Sequence, residues 1–419
     1  MSANAPTKSR LSGWRGALAG SIVASISLLV TLGVLELALV VLYPQGGSPL
    51  IFEFDPELGH RHKPNLDFVH VWNGHDNVSS IRTNSFGLRS PAVPLAKESG
   101  EYRILALGDS YTFGYGVGDE DAFPAVLGKM LAAAGTPSLG RTTVINAGVS
   151  SYGTAQELLY YKNHGRAFQP DLVLLNMFVG NDVQDNLCTH YTQLTSHTRF
   201  PCYAVEGGEL VLKSKPQEPG SKAKKKIRLL PHLLYKVKRT NLFQMLYGKA
   251  KSVLASNAAM VGLLGLVGVD VHPGYVPHVV SGWYAEERAA EGWALTRALL
   301  EELQRAVEAD GAKLALVAIP SRVQVISQLF EVSAVLYPGE PSVEAFLQDP
   351  AKPQRALQAF GQEIGIPVLD LIPAFAERDD TQQLYYPSVA HWNEKGNHIA
   401  AEHIHAFLIE NRLVPSAAQ

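Results

Sequence analysis

Five short, almost uninterrupted apolar runs constrain this chain more than any other feature: RILALGD at 103–109, TTVINAGV at 142–149, DLVLLNMFVGND at 171–182, KLALVAIPS at 313–321 and IPVLDLIP at 366–373. Each has strand length and ends in a polar or Gly/Pro turn, and helical patterns lie between them. A strand that is apolar on both faces needs cover on both faces, and helical crossovers supply it for a parallel sheet. The runs therefore predict an α/β domain of three layers, α/β/α, around a central parallel sheet. In such sheets chemistry collects at the carboxyl ends of the strands, so the residues after each run are the ones to inspect.

Ahead of this domain, the stretch from Trp14 to Pro44 carries one charge, Glu36, after Arg15. It matches the roughly 20 apolar residues that cross a bilayer. It is too long for a signal-peptide core and lacks a small-x-small cleavage pattern, so it reads as a retained transmembrane anchor over 16–43. Lys8, Arg10 and Arg15 precede the span and no Lys or Arg follows until Arg61. The positive-inside rule keeps residues 1–15 in the cytoplasm and sends the rest across. Glu36, costly within a span, belongs near the outer interface or against another helix, with no catalytic role.

Residues 44–100, rich in Pro, Asn, Asp, Gly and His, read as an irregular arm packed on the main domain of 101–412. That domain carries an insertion at about 186–312, too long for one crossover. Within it, the basic run at 213–228 is a solvated loop or a contact for acidic headgroups or an anionic polymer. The apolar stretch 253–269, broken by Asn257 and glycines, reads as part of a helical lid, and 283–313 as a long amphipathic helix ending near Gly311. Cys188 and Cys202 lie in one loop on the side of the membrane where disulfides persist, and a bridge between them would contribute roughly 3 kcal/mol. Zinc is the weaker reading, since neither belongs to a Cys-x-x-Cys pair. A net charge of -3 with 18% charged residues offers nothing to a nucleic acid.

After the first run, Gly108, Asp109 and Ser110 form a tight strand-to-helix turn that presents the Ser110 hydroxyl at the sheet edge, beside a helix N-terminus. The second run ends in Asn146-Ala147-Gly148-Val149-Ser150, where a glycine lets backbone approach closely. The third ends in Gly180-Asn181-Asp182, and the Asn181 amide is a donor for the same centre. The last is followed by a segment reaching His391, ahead of a helix that Asn393 can cap. Taken singly, each is an ordinary turn. Together they supply a nucleophile, a base and donors for a developing oxyanion. His398, Glu402 and His405 share one face of the C-terminal helix and read as a solvated face, with no metal assigned. Gly114, Gly116 and Gly118 lack the spacing of a dinucleotide fingerprint, so no cofactor is expected.

The blocks GDSYTFGYG, NAGVSSYG, VGND and AHWNEKG, in this order over about 290 residues, resemble those of the SGNH (GDSL-type) hydrolase superfamily. FDPELGHRHKPN and TNSFGLRSP also resemble membrane-anchored bacterial members found with envelope polysaccharide genes. The resemblance implies an SGNH/flavodoxin-like fold with Ser110 as nucleophile and His391 as base. It also implies an oxyanion hole made by Gly148, Asn181 and the Ser110 N–H. The expected activity is that of a serine esterase or acyl (acetyl) hydrolase, on the far side of a bacterial inner membrane, acting on an ester-bearing substrate such as an envelope polysaccharide. An O-acyltransferase of the same fold, or a silent glycan-binding or scaffold protein, are the alternatives. Family members usually carry an Asp two or three residues before the histidine, where this chain has Val389 and Ser388. A backbone carbonyl on Nδ1, or Asp379, Asp380 or Glu394, is left to orient the ring, and Ser110–His391 is expected to work as a dyad.

Overall fold

The computed structural model describes residues 10–42, 51–72, 77–133, 141–187, 200–216, 240, 242–243, 245–246, 276–326, 329, 339–376, 378, 380–386 and 390–415. Helix α1 (Arg10–Leu42) comes first. Its stretch Ala17–Val40 has a mean hydropathy of 2.3 and none of it is buried against the rest of the chain. By length and composition it can cross a bilayer. Glu36, its one charge, accepts a hydrogen bond from the backbone N–H of Leu242 at 2.8 Å.

Residues 51–100, expected to be irregular, carry two antiparallel strand pairs. β1 (Phe52–Asp55) pairs with β2 (Gly59–His62), and β3 (Asp67–Trp72) with β4 (Asn77–Arg82). The Asp55 carboxylate closes the first turn by accepting from the N–H groups of Glu57 and Leu58, both at 2.9 Å. The pairs are held by distant partners. His60 Nε2 meets the Ser150 carbonyl at 2.9 Å, and the Tyr152 hydroxyl donates to the His60 carbonyl at 2.7 Å.

The main domain is built on a five-stranded parallel sheet. Its strands are β5 (Glu101–Gly108), β6 (Arg141–Gly148), β7 (Leu172–Phe178), β10 (Lys313–Ile319) and β11 (Val368–Asp370). Their spatial order is β11-β10-β7-β5-β6, and every neighbouring pair is parallel. Counted along the chain this is the doubly wound order 2-1-3-4-5, whose switch point lies beside the first strand. β7 is buried along its whole length, the reason its run shows no alternation. Successive residues still face opposite sides. Leu105, Leu107, Val173 and Leu175 join one core with Leu295, Leu299 and Leu357, whereas Ile104, Leu172 and Leu174 join the other with Phe123, Leu127 and Ile404.

Between β5 and β6 lie α2 (Ser110–Phe113) and α3 (Phe123–Ala133), and α4 (Thr154–Asn163) links β6 to β7. α5 (Asp182–Asp185) follows β7, and the insertion begins with a hairpin, β8 (Cys202–Glu206) with β9 (Glu209–Ser214). Cys202 is disulfide-bonded; Cys188 lies outside the described residues, as do most of the basic run and the apolar stretch 253–269 assigned to the lid. The amphipathic helix spans Glu286–Ala309. It is the crossover that covers the sheet ahead of β10, because its Leu295, Leu299, Leu300, Leu303 and Val307 are buried in the core.

Arg89 locks the arm to this domain. Its side chain is 1% exposed and pairs with Asp119 at 2.9 Å. Nη1 donates to the carbonyls of Phe113 and Gly114, and Nη2 to those of Ser80 and Val117, at 2.6–3.0 Å. Removing a buried cation strands its anion and carbonyls, a loss of about 3–5 kcal/mol. Arg89→Ala is therefore expected to lower the denaturant midpoint strongly. Arg82→Ala removes an exposed partner of the same Asp119 and is expected to leave the midpoint near wild type. Equal shifts in the two variants would show that the carboxylate, and not the four carbonyls, gives Arg89 its weight.

Candidate active site

The nucleophile turn forms because two glycines let backbone pack on backbone. Gly108 ends β5 in register with Gly148 on β6 and Asn176 on β7. At φ +153° it has a conformation that favours glycine, and a Cβ there would lie 2.1 Å from Thr112 Oγ1. A Cβ on Gly148 would lie 2.4 Å from the Phe113 N. Asp109 then caps α2 by accepting from the Tyr111 N–H at 2.8 Å, and Gly114 closes the helix in the left-handed region at φ +81°. Ser110, half-buried, stands as the first residue of this short helix at the carboxyl edge of the sheet.

His391 arrives from 281 residues away. Its Nε2 lies 2.8 Å from Ser110 Oγ. The segment carrying it is pinned by an isolated bridge between Tyr385 and Trp392, by the Tyr386 N–H donating to the His391 carbonyl at 3.1 Å, and by the Tyr111 hydroxyl donating to the Ala390 carbonyl. The imidazole packs against the rings of Tyr111 and Tyr115, with centroids 4.9 and 4.5 Å away and each inclined at 32°. Burial pushes the imidazole down to about 4, so it is neutral at pH 7. A neutral ring that accepts the Ser110 proton at Nε2 carries its own proton on Nδ1.

Ser110 and His391 are thus brought together, and the other predicted site residues fall differently. The Gly148 N–H, expected to face an oxyanion, donates to Asn146 Oδ1 at 3.0 Å, and the missing side chain of this glycine also lets α2 come close. The Asn181 amide donates one N–H to Asp185 Oδ2 and keeps a second. Two of the acids considered for orienting His391 have other partners. Asp380 is held by Lys395 and Arg378 at the surface, and Glu394 accepts from the Tyr386 hydroxyl at 2.9 Å. Asp379, Val389 and Ser388 lie outside the described residues. His398 and Glu402 make an exposed i,i+4 contact at 3.5 Å, and among the described residues no three His, Cys, Asp or Glu converge as metal ligands.

Beneath Ser110 lies a feature that residue types alone did not reveal. Asp109, Glu157 and Asp182 are all at most 2% exposed. Burial pushes Asp109 up to about 7, against the pull of the Tyr111 N–H. Burial and then the charge of Asp109 hold Glu157 and Asp182 well above the usual carboxylate range. Neither Glu157 oxygen has a hydrogen-bond partner among the described residues. Asp109 Oδ2 is 3.4 Å from Ser110 Oγ. A carboxylate there would oppose negative charge developing nearby, and burial acts against that charge by disfavouring ionisation of all three acids. Ser151 holds φ +68°, a left-handed conformation rare for a non-glycine residue and typical of functional turns. Tyr111 and Tyr115 were visible in the motif, yet their packing on a residue far along the chain was not.

Solved structures of similar shape include a G-D-S-L-family lipolytic protein from Desulfitobacterium hafniense, 13% identical, covering 73% of this chain and 99% of its own, at a TM-score of 0.35. A lipase/acylhydrolase from Enterococcus faecalis is 14% identical, covering 76% and 100%, at 0.35. A catalytic mutant of an acetylxylan esterase from Geobacillus stearothermophilus is 14% identical, covering 73% and 94%, at 0.36. Among curated proteins none matches the sequence. The model of the GDSL-like lipase/acylhydrolase family matches residues 106–399, from the end of β5 into the C-terminal helix. By that match, over most of its length, the chain belongs to the GDSL-like lipase/acylhydrolase family.

Proposed function

We propose that Ser110 and His391 form the working dyad of a serine esterase that removes a small acyl group, acetyl, from a cell-envelope glycan. The observation that carries this is the 2.8 Å contact between Ser110 Oγ and His391 Nε2. In the proposed reaction, Oγ attacks the ester carbonyl while Nε2 takes the hydroxyl proton. The Ser110 N–H and the second Asn181 N–H are the donors proposed for the oxyanion. The tetrahedral adduct collapses as His391 returns the proton to the leaving sugar oxygen, leaving acyl-Ser110. Water, deprotonated by His391, then releases the carboxylic acid and free serine.

Packing against Tyr111 and Tyr115 is the proposed substitute for an acid two or three residues upstream, since two ring contacts restrict how the imidazole can turn. The glycan rests on the resemblance of the segments before β5 to membrane-anchored envelope proteins. The proposed setting is a single anchor over 16–43 in a bacterial inner membrane, with residues 44–100 as the arm and 101–412 as the esterase domain on the periplasmic side. The apolar helix, the basic residues before it and the disulfide-bonded Cys202 support that setting.

A fluorophosphonate is expected to add once to the full-length protein, at Ser110, by intact mass. Ser110→Ala abolishes the adduct, and His391→Ala slows it by about 10²–10⁴-fold. Folded wild-type protein that takes no label would overturn the dyad. The labelling rate should rise as pH passes through about 4, where His391 loses its proton, and a midpoint near the ordinary histidine value would remove burial as the tuning force.

Stability should show the opposite limb. Glu157 has a raised folded pKa, so its contribution is fully present below the unfolded value and is lost as pH rises through the folded one. Glu157→Gln is therefore expected to gain stability relative to wild type between pH 5 and pH 9, read by thermal melts, and a constant difference would mean that the cluster does not hold its protons.

A further inference from the structure

The carboxyl end of β10 carries a cation that the proposed reaction does not use. The strand stops beside β7, with Ile319 in register with Phe178 and its carbonyl accepting from the Val179 N–H at 3.1 Å. A short helix, Arg322–Val325, follows at once, and the Ser321 N–H donates to Gln324 Oε1 at 2.8 Å. Gln324 in turn donates to Gln354 Oε1 at 3.0 Å, so the turn is fixed to the helix Lys352–Ile364. Only β7 separates β10 from β5, and two strand spacings amount to about 10 Å. Arg322 therefore starts from the same sheet edge as Ser110, near enough for a single ligand to touch both.

The guanidinium of Arg322 has no carboxylate beside it among the described residues. Nε is enclosed without a partner; the two terminal nitrogens are not enclosed, and they too lack an acceptor among the described residues. Arg89 and Arg103 show the contrast. Both are buried, and each meets a carboxylate, Asp119 at 2.9 Å and Glu101 at 2.8 Å. The groups that act on Arg322 are two phenols, Tyr385, whose ring centroid lies 5.7 Å from Cζ, and Tyr111. A ring face balances a cation only in part and leaves its N–H groups without acceptors. Tyr385 bridges to Trp392, next to His391, and the Tyr111 ring lies 4.9 Å from that imidazole. The cation thus stands on the His391 side of the crevice. Burial works against its charge, and taking an unpaired ion out of water is costly. A bare cation kept at such a place suits a ligand that brings the opposite charge.

We propose that Arg322 binds an oxyanion of the substrate, a carboxylate or a phosphate, within one sugar unit of the ester that Ser110 attacks. A planar fork matches either group with two parallel hydrogen bonds. A neutral sugar would leave the charge unanswered, and an apolar chain would bury it further. The inference deepens the esterase reading above and rests on it for the reaction, and it makes the glycan an acidic one. Arg322 sets specificity and touches no reacting atom.

Calorimetric titrations test this on the full-length protein in phosphatidylcholine nanodiscs, which carry no net charge. The probes are methyl glucuronide, methyl glucoside and methyl glucoside 6-phosphate, which differ only at C6. One of the two anions is expected to bind at least roughly tenfold more tightly than methyl glucoside, and which one does so identifies the carboxylate or the phosphate as the group recognised. Arg322→Gln should remove that preference, a loss of about 10–100-fold for the anion. Arg322→Lys keeps the charge and loses the fork, so its affinity for the same anion should fall between the two, and it decides the matter if the neutral variant does not fold. Saturating anion should also slow the fluorophosphonate adduct at Ser110 by about threefold or more. Equal binding of anions and glucoside, a preference that survives Arg322→Gln, a wild-type affinity in Arg322→Lys, or labelling untouched by bound anion would each overturn the proposal. Anion preference in a protein that takes no label would sink the dyad and leave the anion site standing; labelling without any such preference would do the reverse.

Discussion

Everything at the edge of the sheet depends on how closely a four-residue helix can lie against two strands. α2 sits where β5 gives out, over Gly108 and Gly148, and a single methyl group on either would collide with Thr112 or with the backbone at Phe113. That contact is made at the switch point of a 2-1-3-4-5 sheet, where strand order leaves a crevice. Ser110 faces the crevice because the turn has no room to rotate away. Arg89, through four carbonyls that include Phe113 and Gly114, holds the far end of the same turn from the arm. The turn that carries Ser110 is thus braced below by missing side chains and behind by a buried guanidinium.

Burial then sets the charges. One physical cause, removal from water, acts in opposite directions on the two classes of group near Ser110. It lowers His391 and so frees a lone pair at neutral pH, and it raises Asp109, Glu157 and Asp182, so that ionisation of the neighbouring acids is disfavoured. The result is a hydroxyl with a neutral imidazole at 2.8 Å and, at 3.4 Å, a carboxyl group whose ionisation is disfavoured. Two tyrosine rings pack on that imidazole. The arm contributes to the same economy of charge, because His60 and His62 are buried and neutral in their contacts with the turn after β6 and with α2.

How far these features could be read in advance follows from the range of the forces behind them. The central strands were legible because burial on both faces forces near-continuous apolar runs. The strand pairs of the arm were not, since their short strands carry His, Asp and Asn and gain their stability from partners such as Ser150, 90 residues distant. Gly148 shows a partial reading. Its place after a strand pointed to close backbone approach, and the approach is there, but the hydrogen bond from its N–H to Asn146 was not legible. Asp380 and Glu394 were near His391 in sequence and are claimed by Lys395, Arg378 and Tyr386 in space.

The sequence by itself determined the layered α/β architecture and the positions of the sheet-edge turns, the one that carries Ser110 among them. These follow from hydrophobic periodicity and from residue types at strand ends, which are local properties of the chain. Only the tertiary structure decided the partners of the sheet-edge amides, which carboxyls are buried together, what packs on the imidazole, and that a cleft lies between the arm and α4. Hydrogen-bond partners and pKa values depend on neighbours within a few ångströms, and here most of those neighbours come from segments tens to hundreds of residues apart.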